Sequence, residues 1–291
     1  MAQKKSNRKT SQRYPVVRTL RIDNGTASGA KKEVNVEQFL SKANHRLYRQ
    51  ARYYEVKIDA DSDLSQNIAI YALADTWAVE RSLKMAYDSY LENSESERKA
   101  IKKSNLARWQ DFRVQSGQAI GHCYPMMYDG FTQIPLPGGE FENTTVVDSA
   151  GVTRFFSWRS ASTGSIYSIM AEYDKAGNSQ PNPDTTTGDM PYDDLMADDS
   201  AVMADFLQTK GNKPPYELND VGAGYAWVKV GELRAGSATN PAQKLSTGYF
   251  TAPCGIILIE DTSGGPAVLS PLSITAKSGD YKGVHAPSML E

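Results

Sequence analysis

The basic side chains at the start of the chain have the type and spacing that phosphate binding requires. Residues 1–21 carry no acidic side chain and seven basic ones: Lys4, Lys5, Arg8, Lys9, Arg13, Arg18 and Arg21. The rest of the chain holds 25 Lys and Arg against 34 Asp and Glu, so a body of formal charge −9 carries a segment of +7. This segment favours attraction to a polyanion, typically nucleic-acid phosphate, because each neutralised phosphate releases counterions. The alternatives are a solubilising end or a nuclear-import signal in residues 4–9.

A second group of basic residues alternates with tyrosines. Arg46, Arg49 and Arg52 stand three residues apart, with Tyr48 and Tyr54 close by. Arginine contacts phosphate and tyrosine stacks on exposed bases, a combination that single-strand binders use. The alternative is the end of an amphipathic helix, with both tyrosines in the core and the arginines in solvent. The nearby basic segment favours nucleic acid.

The residues that usually carry catalysis form no recognisable motif. His45, His122 and His285 have no metal-ligand spacing, and the chain contains no CxxC, P-loop or GxSxG pattern. His122 and Cys123 are adjacent, but neighbours on a strand point to opposite faces. We therefore expect no enzymatic activity.

Acidic residues offer two weaker possibilities. A β-rich hydrolase could use paired carboxylates from among Glu140, Glu142 and Glu172. The run from Asp184 to Asp205 contains seven aspartates, which could bind Ca²⁺ at a subunit contact. The run lacks the register of an EF-hand loop, so a solvated acidic loop is the favoured interpretation, and no other metal or cofactor is expected.

Composition points to a β-rich protein held together by packing. Sixteen Tyr, 22 Gly and 14 Pro favour strands and turns. No apolar run approaches the ~20 residues that cross a bilayer, and the N-terminus lacks the apolar segment of a signal peptide. Two cysteines, Cys123 and Cys254, are too few for a disulfide scaffold. The sequence predicts a soluble protein of intracellular origin.

The first half of the chain mixes extended and helical patterns. Residues 1–14 are polar and basic and show no periodicity, which predicts disorder. An extended segment at 17–22 is followed by a short helix after Asn35 and a strand at 53–59. Apolar residues every three to four positions predict an amphipathic helix over 66–92, and a second helix starts at a capping box at Ser94. The two form a hairpin, with Trp77 and Trp109 packed against a sheet.

Beyond Gly117, short β-prone runs alternate with Ser, Gly, Pro and Asn clusters. A hairpin is predicted around residues 149–151, and further strands at 165–173, 223–230, 248–251, 255–260 and 272–276. Many short strands at this spacing favour an antiparallel sandwich or barrel.

The layout resembles the capsid proteins of small icosahedral viruses. The run from Phe39 to Gln50 and the strand from Tyr54 to Asp59 are similar to capsids of circular Rep-encoding single-stranded DNA viruses. The segments 74–77 and 107–114 add to that resemblance, which covers mainly residues 1–115.

The resemblance implies a single jelly-roll, an antiparallel β-sandwich, over residues 22–291. A helical hairpin is inserted at about 66–114, and a disordered basic arm, residues 1–21, points into the particle. It also implies self-assembly into an icosahedral shell, packaging of a single-stranded DNA genome, and location in the virion or, during assembly, the host nucleus. The expected nucleic-acid contacts are the seven basic residues of the arm with Arg46, Arg49 and Arg52. The competing hypotheses are a non-capsid single-strand binder and a β-rich hydrolase.

Overall fold

The structure, a computed structural model, describes residues 15–23, 31–60, 64, 67–100, 111–117, 121–122, 124–129, 132–135, 143–159, 162–175, 226–237, 241–262 and 272–290. Five predicted contacts of the arm, Lys4, Lys5, Arg8, Lys9 and Arg13, lie outside these residues, as does the disorder predicted for 1–14. The acidic run from Asp184 to Asp205 also lies outside them.

Three sheets and four helices make up the described part of the chain. In chain order the strands are β1 (Thr19–Asp23), β2 (Lys32–Asn35), β3 (Tyr53–Ala60), β4 (Ile68–Leu73), β5 (Gly121–His122), β6 (Tyr124–Asp129), β7 (Thr132–Pro135), β8 (Thr145–Val147), β9 (Thr153–Ser157), β10 (Ile166–Ser168), β11 (Trp227–Leu233), β12 (Phe250–Pro253), β13 (Ile256–Asp261) and β14 (Leu272–Ala276). The helices are α1 (Val36–Asn44), α2 (Trp77–Asn93), α3 (Glu95–Ala100) and α4 (Ile169–Lys175). The mainly β class is confirmed. No helix in the described ranges is long and apolar enough to cross a membrane.

Eight of the strands pair in a nested way. β1 pairs with β14, β2 with β13, β3 with β12, and β4 with β11, all antiparallel. These pairs alternate between a first sheet of order β12-β3-β14-β1-β6-β7 and a second of order β11-β4-β13-β2-β5. The chain is thus a long antiparallel ribbon folded over itself into two sheets. A smaller sheet has the order β10-β9-β8.

Apolar side chains from both large sheets form the main core. Burial alternates along β3, where Tyr54, Val56 and Ile58 are inaccessible to solvent, as the period-2 pattern predicts. They belong to one cluster with Ile70 of the second sheet and Phe39 of α1. The two sheets therefore face each other as a β-sandwich.

A second apolar cluster covers the outer face of the second sheet. Leu73 of β4 and Ile256 of β13 belong to it, together with Leu83 of α2, Trp158 and Met170. All of these except Ile256 lie in or next to the long connection between β4 and β11. Both faces of β4 and β13 are consequently buried, which accounts for their continuous apolar sequences.

The helix predicted over residues 66–92 is wrong in its first third, which is the strand β4. A strand buried on both faces shows no alternation, and its apolar residues also fit a helical spacing. The helix α2 begins at Trp77 after its N-cap Thr76, whose hydroxyl accepts a hydrogen bond from the Val79 amide at 3.5 Å. Of the second predicted helix, the structure describes α3 as far as Ala100, and Phe112 lies outside any helix.

Two strand predictions have different outcomes. The hairpin around residues 149–151 is confirmed, with β8 antiparallel to β9 and the Asp148 carboxylate accepting hydrogen bonds from two turn amides. The strand predicted at 165–173 ends at Ser168, where α4 begins. The Ser168 hydroxyl accepts a hydrogen bond from the Ala171 amide at 3.2 Å and so caps that helix.

The boundary between arm and body was predicted too late, at residue 21. The strand β1 begins at Thr19, and its Leu20 and Ile22 are 5% and 3% exposed in the main core. Arg21 therefore belongs to a sheet of the body. A deletion that reached it would damage the core as well as remove charge.

The prediction that Trp77 packs against a sheet is wrong, since its side chain is 53% exposed; Trp109 lies outside the described residues. We expect Trp77→Ala to lower the free energy of unfolding by clearly less than Trp158→Ala does, because about half of the Trp77 side chain is already in contact with solvent. Urea unfolding measures this, with Trp158→Ala as the comparison because Trp158 is fully buried. Equal losses in the two variants would contradict the assignment.

Candidate nucleic-acid interface

The chain enters the folded body at one end of the sandwich, where the residues before β1 are bound to the end of α1. The Asn44 side chain, at the end of α1, accepts a hydrogen bond from the Val17 amide at 2.7 Å and donates one to the Val17 carbonyl at 2.9 Å. This two-point contact holds the residues before β1 against the end of α1. The charged segment that precedes them therefore starts at this end.

A sharp turn after α1 presents the predicted arginines. The helix ends at His45, whose backbone is left-handed with φ 50°, and the Arg46 amide donates to the Ser41 carbonyl at 3.3 Å. The Ser41 hydroxyl accepts a further hydrogen bond from the Tyr48 amide at 2.8 Å. The turn leaves the side chains of His45, Arg46 and Arg49 exposed.

The tyrosines among these arginines belong to the core. Tyr48 and Tyr54 have no exposed surface, and their hydroxyls donate to the carbonyls of Lys282 at 2.9 Å and Arg49 at 2.6 Å. The prediction that they stack on bases is therefore wrong. Their rings anchor the turn to the sandwich, and the exposed arginines are left to contact a ligand.

The loop after β14 brings a further cation to this end. Lys282 has a left-handed backbone, with φ 50°, and its ammonium donates to the Leu47 carbonyl. Arg52 donates to the Ala286 carbonyl at 2.7 Å, and its guanidinium carbon lies 3.6 Å from the centroid of the Tyr281 ring. The Lys282 ammonium lies 5.3 Å from the same centroid. Two cations therefore share one aromatic ring.

Arg18 and Arg49 reach the same loop. Arg18 donates from Nη1 to the Gly283 carbonyl at 3.5 Å, and the Arg49 amide donates to the Tyr281 hydroxyl at 3.2 Å. Burial raises the pKa of Tyr48 while the charges of Arg46 and Arg18 act against that rise, so both cations lie near its ring. We call the five residues brought together here the basic cluster: Arg18, Arg46, Arg49, Arg52 and Lys282.

Acidic groups lie at the margins of the basic cluster. Glu55 accepts from Lys277 at 2.6 Å and lies 3.8 Å from His285. Burial raises the pKa of Asp111, and the charges of Arg113 and Arg49 oppose that rise. The cluster therefore offers several cations at one end of the body, an arrangement suited to phosphate oxygens, with no aromatic face free for bases on Tyr48 or Tyr54.

Lys282 and Tyr281 were missed by the sequence analysis, and Arg21 lies elsewhere. No local pattern marks residues 281–282. They lie in a loop after a strand, and Lys282 has no other Lys or Arg within four residues of it. Arg21 alternates with the core residues Leu20 and Ile22 and so lies on the outer face of the first sheet. Of the predicted contacts, the structure thus brings Arg18, Arg46, Arg49 and Arg52 together.

The groups considered for catalysis or metal binding are placed as follows. Cys254 is a fully buried free thiol whose pKa is raised well above its ordinary value by burial. Glu172 accepts a hydrogen bond from the Ser162 hydroxyl at 2.6 Å, while Glu140 and Glu142 lie outside the described residues. Within the described ranges, no three His, Cys, Asp or Glu side chains are grouped so that they could hold a metal ion.

Beneath α1 lies a carboxyl group that the sequence analysis did not single out. Glu37 is completely buried, and neither of its carboxyl oxygens accepts a hydrogen bond from another described residue. Burial raises its pKa from 4.5 to about 8; Arg113 acts against the rise, and Asp111 and Glu33 add to it. A buried carboxyl of this kind is neutral at and below pH 7.

The position of Glu37 follows from two backbone contacts. The Val36 amide donates to the Gly255 carbonyl at 2.8 Å, which joins the start of α1 to the turn between β12 and β13. Gly255 has φ 64°, and a Cβ there would lie 3.0 Å from both the Glu37 carboxyl and the Tyr54 ring. The close approach requires glycine, and it excludes water from the carboxyl.

No known protein family, curated protein or solved structure matches this chain.

Proposed function

We propose that this chain is a capsid protein that assembles into a closed shell and packages a nucleic-acid genome through its basic arm. The observation that carries the proposal is the nested pairing of eight strands. Numbered one to eight along the ribbon, they pair first with eighth, second with seventh, third with sixth and fourth with fifth. This pairing supports a jelly roll, the double-sheet fold that viral capsid domains use.

The segment between the fourth and fifth strands of the ribbon is the insertion in this proposal. It begins after β4 and ends before β11, and it supplies the second apolar cluster on the outer face of the second sheet. The proposed insertion is therefore longer than the hairpin predicted at 66–114. It thickens the body to three layers and adds surface for contacts with other subunits.

The distribution of charge separates the two functions of such a protein, nucleic-acid binding and shell formation. The body has a formal charge of −9 and the first 21 residues +7, so affinity for phosphate is concentrated where the chain enters the body. The basic cluster lies at that same end and extends the cationic track onto the folded surface. Because Tyr48 and Tyr54 are buried, we propose that binding is directed to the phosphate backbone with little reading of bases. A single-stranded DNA genome is proposed from the resemblance to capsids of circular Rep-encoding viruses.

The first test is the size of the purified protein. We expect uniform particles tens of nanometres across in light scattering and negative-stain microscopy, with nucleic acid detected by the ratio of absorbance at 260 and 280 nm. The location that goes with this proposal is the virion, with the host nucleus during assembly. A protein that remains a monomer or small oligomer under all assembly conditions, with nucleic acid present, would contradict the proposal.

A further inference from the structure

The outward face of α2 carries a stripe of charged residues. Six side chains at helical spacing line a shallow groove of about 370 Å³: Arg81, Lys84, Met85, Asp88, Ser89 and Glu92. The opposite face of the helix, with Val79, Leu83 and Ala86, is buried in the second apolar cluster. The stripe is therefore held in a fixed orientation by a well-packed inner face.

The charges on this stripe are arranged against the helix dipole. The cations Arg81 and Lys84 lie in the N-terminal half, and the anions Asp88 and Glu92 lie in the C-terminal half, so that Glu92 lies in the last turn, where the dipole favours a cation. Within the part of the chain that the structure describes, none of the four forms a salt bridge, although Lys84 and Asp88 are four residues apart. In the isolated subunit, these four charges are therefore not offset by salt bridges with other described residues.

A second copy of the same stripe, lying antiparallel to the first, would supply the opposite charges. When Arg81 of one subunit faces Glu92 of the other, symmetry places Glu92 opposite Arg81 at the far end, as a two-fold contact requires. The same register sets Lys84 against Ser89 and Met85 against Asp88. Each cation then meets an anion-rich half-helix, and the two dipoles run in opposite directions.

The exposed side chain of Trp77, which packs against the buried Tyr173, extends the same surface. Trp77, at the start of α2, is 53% exposed, with the Arg81 guanidinium 5.7 Å from its ring centroid and Tyr173 edge-on at 6.5 Å. Trp, Tyr and Arg are the residues that most often dominate binding energy at interfaces. The N-terminal end of the stripe thus offers apolar area beside the charges that set the register.

We infer that the outward face of α2 is a two-fold contact between copies of this chain, in which the two helices lie antiparallel with the half that carries Arg81 and Lys84 on one opposite the half that carries Asp88 and Glu92 on the other. The inference specifies one contact of the self-association proposed above and rests on it. The partner is a second copy because the surface is complementary to itself.

Two charge-reversed variants test the contact. Arg81→Glu with Lys84→Glu makes the stripe wholly acidic, and Asp88→Lys with Glu92→Lys makes it wholly basic. We expect each variant alone to associate at least about tenfold more weakly than the parent, because like charges now face each other. An equimolar mixture should recover the parental affinity, because an acidic stripe then meets a basic one. Sedimentation at about 50 mM salt, where screening is weak, gives the association constants.

The matched control for the acidic variant is Arg98→Glu with Lys99→Glu on α3, which makes the same change in net charge on exposed side chains outside the stripe. Parental association in each reversed variant alone, or no recovery in the mixture, overturns the inference.

If dimers weaken and recover as expected but no preparation forms particles, the two-fold contact stands and the capsid function fails. If particles form normally in both reversed variants, the function stands and this contact is wrong.

Discussion

Deleting residues 2–14 is expected to yield shells that contain almost no nucleic acid. The deletion removes Lys4, Lys5, Arg8, Lys9 and Arg13 but spares β1, whose Leu20 and Ile22 belong to the core. Subunit association depends on buried area and shape, so particles should still form. Five fewer phosphate contacts per subunit should lower the slope of log affinity against log salt by about 3.5, at ~0.7 per contact for single strands. Absorbance ratios of purified particles across salt concentrations measure both effects.

One further variant separates the effect of charge from that of sequence. Another separates the contribution of the arm from that of the body. A scrambled segment of the same composition should package as the parent does, since phosphate neutralisation is independent of sequence. Arg46→Gln with Arg49→Gln should remove about 1.4 from the salt slope, at the same ~0.7 per contact. Arg98→Gln with Lys99→Gln is its matched control. Full packaging by the deleted chain would contradict the role of the arm and transfer it to the basic cluster.

The free energy of unfolding is expected to fall by about 5 kcal/mol as pH rises from below 4.5 through 8, because of Glu37 alone. The folded subunit holds the proton on this buried carboxyl, while the unfolded chain releases it near pH 4.5. The contribution is therefore full in acid and is lost as the folded state titrates. Glu37→Gln keeps the shape and stays neutral, so it should flatten this slope and be more stable than the parent at pH 8.5.

Urea unfolding followed by tryptophan fluorescence between pH 5 and pH 8.5 measures this slope on dissociated subunits. Glu95→Gln is the control, because Glu95 is an exposed carboxylate that forms a salt bridge with Lys99 on the surface of α3. It should leave the slope unchanged. If Glu37→Gln loses stability equally at both ends of the range, the carboxyl is ionised in the folded parent, and the explanation fails.

Period-2 patterns with one buried face were predictable from the sequence. The strand at 53–59 was read correctly because Tyr54, Val56 and Ile58 alternate with polar residues. The apolar run of β4 was read as helix because both of its faces are buried, and the sequence does not show that the insertion returns to cover it. Trp77 fits the apolar stripe of α2 yet lies at its exposed edge, a difference that depends on where α4 packs.

The candidate interface was predictable where charges are close in sequence and unpredictable where the fold supplies them. Arg46, Arg49 and Arg52 were recognised from their spacing. Lys282 joins them only because the loop after β14 packs against the turn after α1, more than 200 positions away in the chain. Tyr48 and Tyr54 were ambiguous between stacking and packing, and their complete burial, which depends on the fold, distinguishes the two. In the sequence, Glu37 cannot be distinguished from an ordinary acidic residue in the first turn of a helix. Its burial depends on the turn at Gly255, which is distant in the chain.

The nested strand pairing also determines when each part of the molecule can form during synthesis. Leu20 in β1 is paired with Ile274 in β14, so the first sheet cannot be completed until nearly the whole chain has left the ribosome. The insertion has shorter connections, as between β8 and β9, and can fold earlier. The basic residues 4–13 precede every strand of the ribbon and emerge before them. Under the proposed function, each nascent chain can therefore contact nucleic acid long before it has a surface on which another subunit can bind.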